Sequence, residues 1–341
     1  MRTLVVLPNW VGDTILALPV LAALAAASRR LSVLCRPHLG PLLETQPSVH
    51  EVVLRAVSDA ETVHHLRRAK FEEAVILPNS IRSAWLAYKA EIPRRWGYAG
   101  TTPEGLVRRF ILPNSVRDRR DRARHQAEDY HDLLSAMEVA APLDWVPGLA
   151  VTADQREIGR QLLTRSGLHR HRVPLIGLFG GAEFGPSKQW PWQRFAELSQ
   201  QFRKHLPNSQ QTILAGPKET WLAVRIHEES GRIHPVIGPD LDLAQLAAVI
   251  ANLDLLVTND SGPMHMAAAL GVPCLALFGP TDPRRTRPVG DRHEVFYSDR
   301  WCSPCFRRRC PLLHHRCMKD ITVDQVAARA LQMLDADSKP L

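Results

Sequence analysis

The chain has no apolar run long enough to cross a bilayer. Its longest, ILALPVLAALAAA from Ile15, has 13 residues and contains Pro19, against the roughly 18 that a spanning helix needs. A buried helix is expected there. A signal-peptide shape is also missing: MRTLVVLPNWVGD enters a strand at once and turns polar within a few residues. A cytoplasmic location is therefore expected. Cysteine is sparse outside one segment. Cys35 and Cys274 stand alone, whereas Cys302, Cys305, Cys310 and Cys317 crowd together with His314 and His315. That crowding puts metal or redox chemistry ahead of a disulfide framework. The spacing matches neither a two-pair zinc ribbon nor the common ferredoxin run, so reduced thiols remain the alternative and the metal is unknown. There is no strand–GxGxxG–helix, which argues against a dinucleotide dehydrogenase, and no GxxxxGK[ST] P-loop. The basic residues lack interleaved aromatics, so nucleic acid is discounted as a partner. No repeat of fixed period is present.

What the chain does have is length and positive charge. Its 341 residues suit two domains. A net charge of +8 and a pI of about 9.5 suit an anionic partner: nucleotide, phosphate or acidic lipid. Short β-branched runs alternate with helical stretches in both halves. Strands are expected at residues 3–7, 31–35, 51–54 and 74–77, with one helix over 13–27. The rhythm restarts at LIGLFGG from Leu175 and continues through TILAG, LLVTND and CLALFG. This βαβ order implies α/β domains with parallel sheets, and ligands in a cleft at the carboxyl ends of the strands. Pro142, Pro147 and Gly148 mark a linker over 141–151. The expected division is 1–150, 151–321 and a terminal helix over 322–341. Within the first division, residues 82–124 hold 11 Lys/Arg against 4 Asp/Glu, and within the second, residues 300–319 hold six Lys/Arg and no acid.

Three loops could carry chemistry. LPNWVGD (7–13) places Asp13 where a strand becomes a helix. An acid there either caps the helix or faces a ligand as a general base. GGAEFGPSKQWP (180–191) offers glycines for close backbone approach and Lys188 for a phosphate; a solvated surface turn is the bland alternative. VTNDSGPMHMAAALG (257–271) ends a strand and opens a helix. The backbone N–H groups of such a start form an anion site, and Ser261 could add a hydroxyl. His265 in its first turn is either a buried structural histidine or a diphosphate contact.

Taken in order, PNWVGD, GAEFGPSKQWP, TNDSGPMHMAAAL, FGPTDP and CSPCFRRRCPLLHHRCMKDI resemble the ADP-heptose:lipopolysaccharide heptosyltransferases of glycosyltransferase family nine. The resemblance runs over residues 7–321 and is nearest to members that add the second heptose, although those for the first and third share much of it. It implies a GT-B fold: two Rossmann-like domains with parallel sheets facing a central cleft, the first for the lipid-linked acceptor and the second for the ADP-sugar. The last helix would cross back onto the first domain. Asp13 would be the base of an inverting displacement and Lys188 would neutralise the leaving diphosphate. Asp260, Ser261, Gly262 and His265 would contact the nucleotide sugar. Gly181, Ala182 and Glu183 would meet the phosphates, Glu219 the ribose, and Leu241 the adenine. No cofactor or catalytic metal would be required. The arginine-rich stretch would meet an acidic, lipid-A-linked core acceptor and the anionic inner-membrane surface. Two other readings compete: a GT-B transferase with a UDP-sugar donor, and a non-catalytic lipopolysaccharide-binding protein.

Overall fold

The computed structural model describes residues 1–118, 121, 123–142, 144–169 and 173–337, with Asp337 in backbone only. Arg119, Arg120 and Arg122 of the arginine-rich stretch, Leu143 of the linker and residues 338–341 of the terminal segment lie outside the described residues. The chain forms two compact units, Met1–Ala150 and Val151–Leu341.

The first unit is built on six strands: β1 (Arg2–Val6), β2 (Arg30–Cys35), β3 (Glu51–Leu54), β4 (Glu73–Ile76), β5 (Arg94–Ala99) and β6 (Asn114–Arg117). They pair in the order β3-β2-β1-β4-β5-β6, all parallel. Val5 sits between Val33 and Val75. Leu4, Val5, Ala74, Val75 and Ile76 are fully buried, so the central strands read as unbroken apolar runs. That is the pattern of a parallel sheet covered on both faces. The order reverses between β1 and β4, which opens a crevice at their carboxyl ends. At the amino end, the Glu73 carboxylate is buried but fully engaged. It accepts from Arg29 Nε at 3.0 Å, Thr3 Oγ1 at 3.2 Å and Trp96 Nε1 at 3.1 Å, tying β1, β4 and β5 together.

Two features differ from the sequence expectation. The helix expected over 13–27 is broken into Val11–Leu16 and Leu18–Ala26. Pro19 explains the break, because it has no N–H to donate and its ring crowds the preceding turn. The first of these helices starts at Val11, so Asp13 sits in the third helical position instead of the first. In addition, β5 and β6 run through the arginine-rich stretch that reads in sequence as basic surface. Gly97 lets β5 lie close, since a Cβ there would stand 3.0 Å from the Ile76 carbonyl and from Leu112.

The second unit repeats the plan. Its strands are β7 (Leu175–Phe179), β8 (Gln210–Leu214), β9 (Val236–Ile237), β10 (Leu255–Asn259), β11 (Cys274–Phe278) and β12 (His293–Tyr297). The order is β12-β11-β10-β7-β8-β9, again all parallel. Taken from β9, it is the order of the first sheet, with its reversal between β7 and β10. The helix Val323–Asp337 closes the second unit. Val326, Ala327 and Ala330 sit in the core of the second unit with Phe195 and Phe202 of the helix Trp192–His205. Its apolar face matches that helix, and Trp190 Nε1 anchors its approach by donating to the Ile321 carbonyl at 3.0 Å.

The helix Ala153–Arg165 packs on Leu243–Ile250 across Gly159, where a Cβ would stand 2.2 Å from the Ala248 carbonyl oxygen. Gly159→Ala should therefore lower stability by about 1–3 kcal/mol through overpacking, read as a shift of the denaturant midpoint. A midpoint equal to that of the parent chain would show that the helix pair slides freely.

Candidate functional site

The carboxyl edge of the second sheet is sewn together by one amide. Asn259, at the end of β10, is fully buried. Its Oδ1 accepts from the Trp190 backbone N–H at 3.0 Å, and its Nδ2 donates to the carbonyls of Gly180 at 2.7 Å and Gly181 at 3.3 Å. Both ends of the loop 180–190 are thus fastened at the reversal between β7 and β10. The next residue carries charge. Lys188 Nζ lies 2.5 Å from Asp260 Oδ2, and the same oxygen accepts from Thr281 Oγ1 at 2.6 Å. Asp260 is only 5% exposed. A carboxylate so buried requires partners of this kind. Lys188 is therefore held rather than solvated, with its ammonium also 4.9 Å from the Phe184 ring centroid.

Beside this pair the helix Gly262–Ala269 begins. Ser261 is extended (φ −152°) and does not cap it through its side chain. Its hydroxyl shares a 2.9 Å hydrogen bond with Thr258 Oγ1. The positive end of the helix dipole and Lys188 then meet at one edge, an anion-binding arrangement. Pro263 occupies the second helical position, and His265 is buried in the first turn.

The expected phosphate and ribose contacts also come together. Gly181 and Ala182 are buried, and a Cβ on Gly181 would lie 2.7 Å from Glu219 Cγ. A Cβ on Gly216 would lie 2.7 Å from Glu219 Oε2. Both strand exits therefore lean on this one carboxyl group. Burial, and then the charge of Glu183, hold Glu219 above the usual carboxylate range. Glu183 is exposed and paired with Lys218. Leu241 is partly exposed beyond β9, in a turn where Gly238 adopts φ +121°.

The cysteine-rich segment is a latch on the Lys188 loop. Ser187 N–H donates to the Arg308 carbonyl at 3.2 Å, and Ser187 Oγ to the Arg307 carbonyl at 2.5 Å. His315 Nε2 meets the Ser187 carbonyl at 2.7 Å, and the Arg308 guanidinium lies 5.7 Å from the Phe184 ring centroid. Gly185 (φ +148°) admits this approach, since a Cβ there would be 2.6 Å from the Arg308 carbonyl. No sequence spacing pairs Ser187 with residues 307–315; the contact spans more than a hundred positions. All four cysteines of the segment are free thiols. Burial and the nearby Cys305, Cys310 and Cys302 push the Cys317 thiol up to about 11. Among the described residues, no three His, Cys, Asp or Glu side chains converge as a metal site.

In the first unit, Asp13 is partly exposed in the first turn of Val11–Leu16, at the carboxyl end of β1. A carboxylate there is stabilised by the helix start. Thr14 Oγ1 donates to the Pro8 carbonyl at 3.2 Å, and Arg36 Nε to Asn9 Oδ1 at 2.9 Å, bracing the loop on both sides.

Residues 60–315 match the model of glycosyltransferase family 9 (heptosyltransferase). The lipopolysaccharide heptosyltransferase 2 of Salmonella typhimurium is 31% identical over 313 residues, covering 86% of this chain and 87% of that protein. The lipooligosaccharide heptosyltransferase 2 of Haemophilus influenzae is 28% identical over 314 residues, covering 86% and 88%. The structure of the E. coli ADP-heptose lipopolysaccharide heptosyltransferase II superposes with a TM-score of 0.83, at 28% identity, over 99% of this chain and 100% of that one. The expected GT-B class of two Rossmann-like sheets holds.

The Lys188–Asp260 pair generates a stability prediction. Lys188→Ala should destabilise the protein by about 2–4 kcal/mol, because Asp260 keeps its buried charge and loses its cation. Adding Asp260→Asn should recover part of the loss. Equal losses in the single and double variants, in denaturant unfolding, would mean that the pair does not couple.

Proposed function

Because the chain belongs to glycosyltransferase family 9, the heptosyltransferases, we propose that it transfers a heptose from ADP-heptose to the first heptose of the lipopolysaccharide inner core, releasing ADP. The observation that carries this reading is the cluster of Lys188, Asp260 and Thr281 beside an uncapped helix start. It is built to receive a diphosphate whose negative charge grows as it leaves. The names of the similar proteins, heptosyltransferase 2 in both cases, support the second heptose as the one added.

The reaction is a single displacement. The Asp13 carboxylate takes the proton of the acceptor hydroxyl as that oxygen bonds to the anomeric carbon. The bond from that carbon to the β-phosphate oxygen breaks on the opposite face, and the configuration inverts. Lys188 and the N–H groups at the start of Gly262–Ala269 stabilise the departing ADP, a task that needs no divalent ion in this account. The loop at Gly181, Ala182 and Glu183 meets the phosphates, Glu219 accepts from ribose hydroxyls, and Leu241 packs by the adenine. Asp260 holds Lys188 in place, and His265 supports the same turn from within. The enzyme works in the cytoplasm, at the inner-membrane face where its acidic lipid-linked acceptor resides.

The decisive experiment measures ADP release from ADP-heptose with two acceptors, Kdo–lipid A and its mono-heptosyl form. Turnover only with the mono-heptosyl acceptor is expected. Turnover only with the bare acceptor reassigns the chain to the first heptose, and none with either overturns the reading. Asp13→Asn should keep ADP affinity and lose roughly 10²–10⁴-fold in turnover; near-parental turnover would remove Asp13 as the base.

Glu219 supplies a second, pH-dependent prediction. Its raised folded pKa means that the protonated form favours folding, and that this contribution is lost as pH rises through the folded pKa. Glu219→Gln should therefore gain Tm relative to the parent as pH is raised from ~5 to ~8, while binding ADP-heptose more weakly. A Tm difference that does not change with pH, or unaltered donor affinity, would contradict this role.

A further inference from the structure

We infer that His315 is a positioning residue: through the backbone of Ser187 it fixes where the Lys188 ammonium stands to meet the diphosphate of a nucleotide sugar. That diphosphate belongs to the donor proposed above, and the inference rests on that reading. Ser187 immediately precedes Lys188 and is only 3% exposed. All three of its polar groups are taken by the cysteine-rich segment. Its N–H donates to the Arg308 carbonyl at 3.2 Å and its hydroxyl to the Arg307 carbonyl at 2.5 Å. Its own carbonyl lies 2.7 Å from His315 Nε2. A carbonyl oxygen can only accept, so Nε2 carries the proton and donates. The first two partners are backbone carbonyls, which any residue would supply. Only the third depends on which side chain stands in the segment.

The backbone of His315 points the same way. It lies in the left-handed region, with φ +53° and ψ +32°. Glycine adopts that conformation freely, whereas a residue with a Cβ does so at a cost. A side chain held there against that cost calls for a task that a turn alone does not supply. The ring's task is one hydrogen bond, made to the residue next to Lys188. His314 secures the turn from which the ring projects, because its Nδ1 accepts from the Arg316 N–H at 3.0 Å.

The same segment reaches the other member of the ion pair. Ser303 Oγ donates to the Gly279 carbonyl, and the Phe306 N–H to the Pro280 carbonyl at 2.7 Å. Met318 is fully buried against Gly279, where a Cβ would collide with its sulfur. The residue that follows, Thr281, donates to Asp260 at 2.6 Å. One segment thus braces both the loop that carries Lys188 and the strand exit that carries the second partner of Asp260. Asp260 holds the head of the lysine, and His315 holds its root. A lysine stem is long and rich in rotamers, so its ammonium is preorganised only when both ends are fixed. A misplacement of ~1 Å in such a group is enough to be felt in turnover.

The test uses the full chain with His315→Gly, which keeps the left-handed backbone and removes only the ring. Acylation of the Lys188 amine, followed by peptide mass spectrometry, should quicken several-fold. ADP affinity, read by calorimetric titration, should fall ~3–10-fold, the worth of about one hydrogen bond. In the Lys188→Ala background the same substitution should cost no further ADP affinity. With ADP-heptose, kcat should fall at least as far, while KM for the acceptor stays at the parental value. His315→Asn tolerates the same backbone but is too short to reach Ser187. It should reproduce these effects and covers the case in which the glycine variant does not fold. Parental acylation rates and ADP affinity in the folded variants would overturn the inference. So would a loss of ADP affinity that is equally large without Lys188. A parent chain that binds no ADP, with acylation quickened as expected in the variants, would instead overturn the donor reading alone.

Discussion

The ligand edge of the second unit depends on the side-chain amide of Asn259. A buried amide must place both its donors and its acceptor. Here it does so only by gripping the two ends of the loop 180–190. With those ends fixed at the strand reversal, Lys188 reaches Asp260, and Ser187 reaches the backbone of the cysteine-rich segment. The loop is thereby clamped from β10 on one side and from residues 307–315 on the other. A cation held in this way loses little freedom when an anion arrives, which is the advantage of a preorganised site.

The same strand order occurs twice in one chain, and the two copies carry opposite chemistry at equivalent places. After β1 the first unit presents a carboxylate, Asp13. After β7 and β10 the second presents a lysine and a helix start. Parallel sheets of this order leave their crevice at the carboxyl ends next to the reversal. The fold therefore needs only short loop changes to place a carboxylate in one unit and a lysine beside a helix start in the other.

The helix Pro103–Ile111 shows how packing can override an ordinary polarity pattern. Arg108 turns its Nε and Nη1 donors into the fold, onto the carbonyls of Tyr98 in β5 and Ser80 beyond β4. Gly105 lies where a Cβ would run into the Gly100 backbone at 2.5 Å, so the helix can present no larger side chain there. The face left over is apolar because the inner face is committed to holding the edge of the sheet. The arginine-rich composition of this region thus serves two ends: Arg95 and Arg108 brace the interior, while Arg109 stays at the surface.

Much of this protein was legible in its sequence. Unbroken β-branched runs alternating with amphipathic stretches can be satisfied only by parallel sheets covered on both faces. The motifs around Asp13, Lys188 and Asp260 are short, local turns at strand ends, so their positions at the carboxyl edges of the sheets were legible too. What depends on distant neighbours was not legible. Strands β5 and β6 lie in polar sequence and exist because β4 and Gly97 offer them an edge. The last helix could be recognised, but not its berth, which is set by complementarity with Phe195 and Phe202. The hydrogen bond between Ser261 and Thr258 is likewise a matter of reach in space. Local sequence determined the elements and the chemistry at their ends; tertiary structure alone decided which partner each buried polar group would take, because hydrogen bonds and packing are settled by proximity in space and not by spacing along the chain.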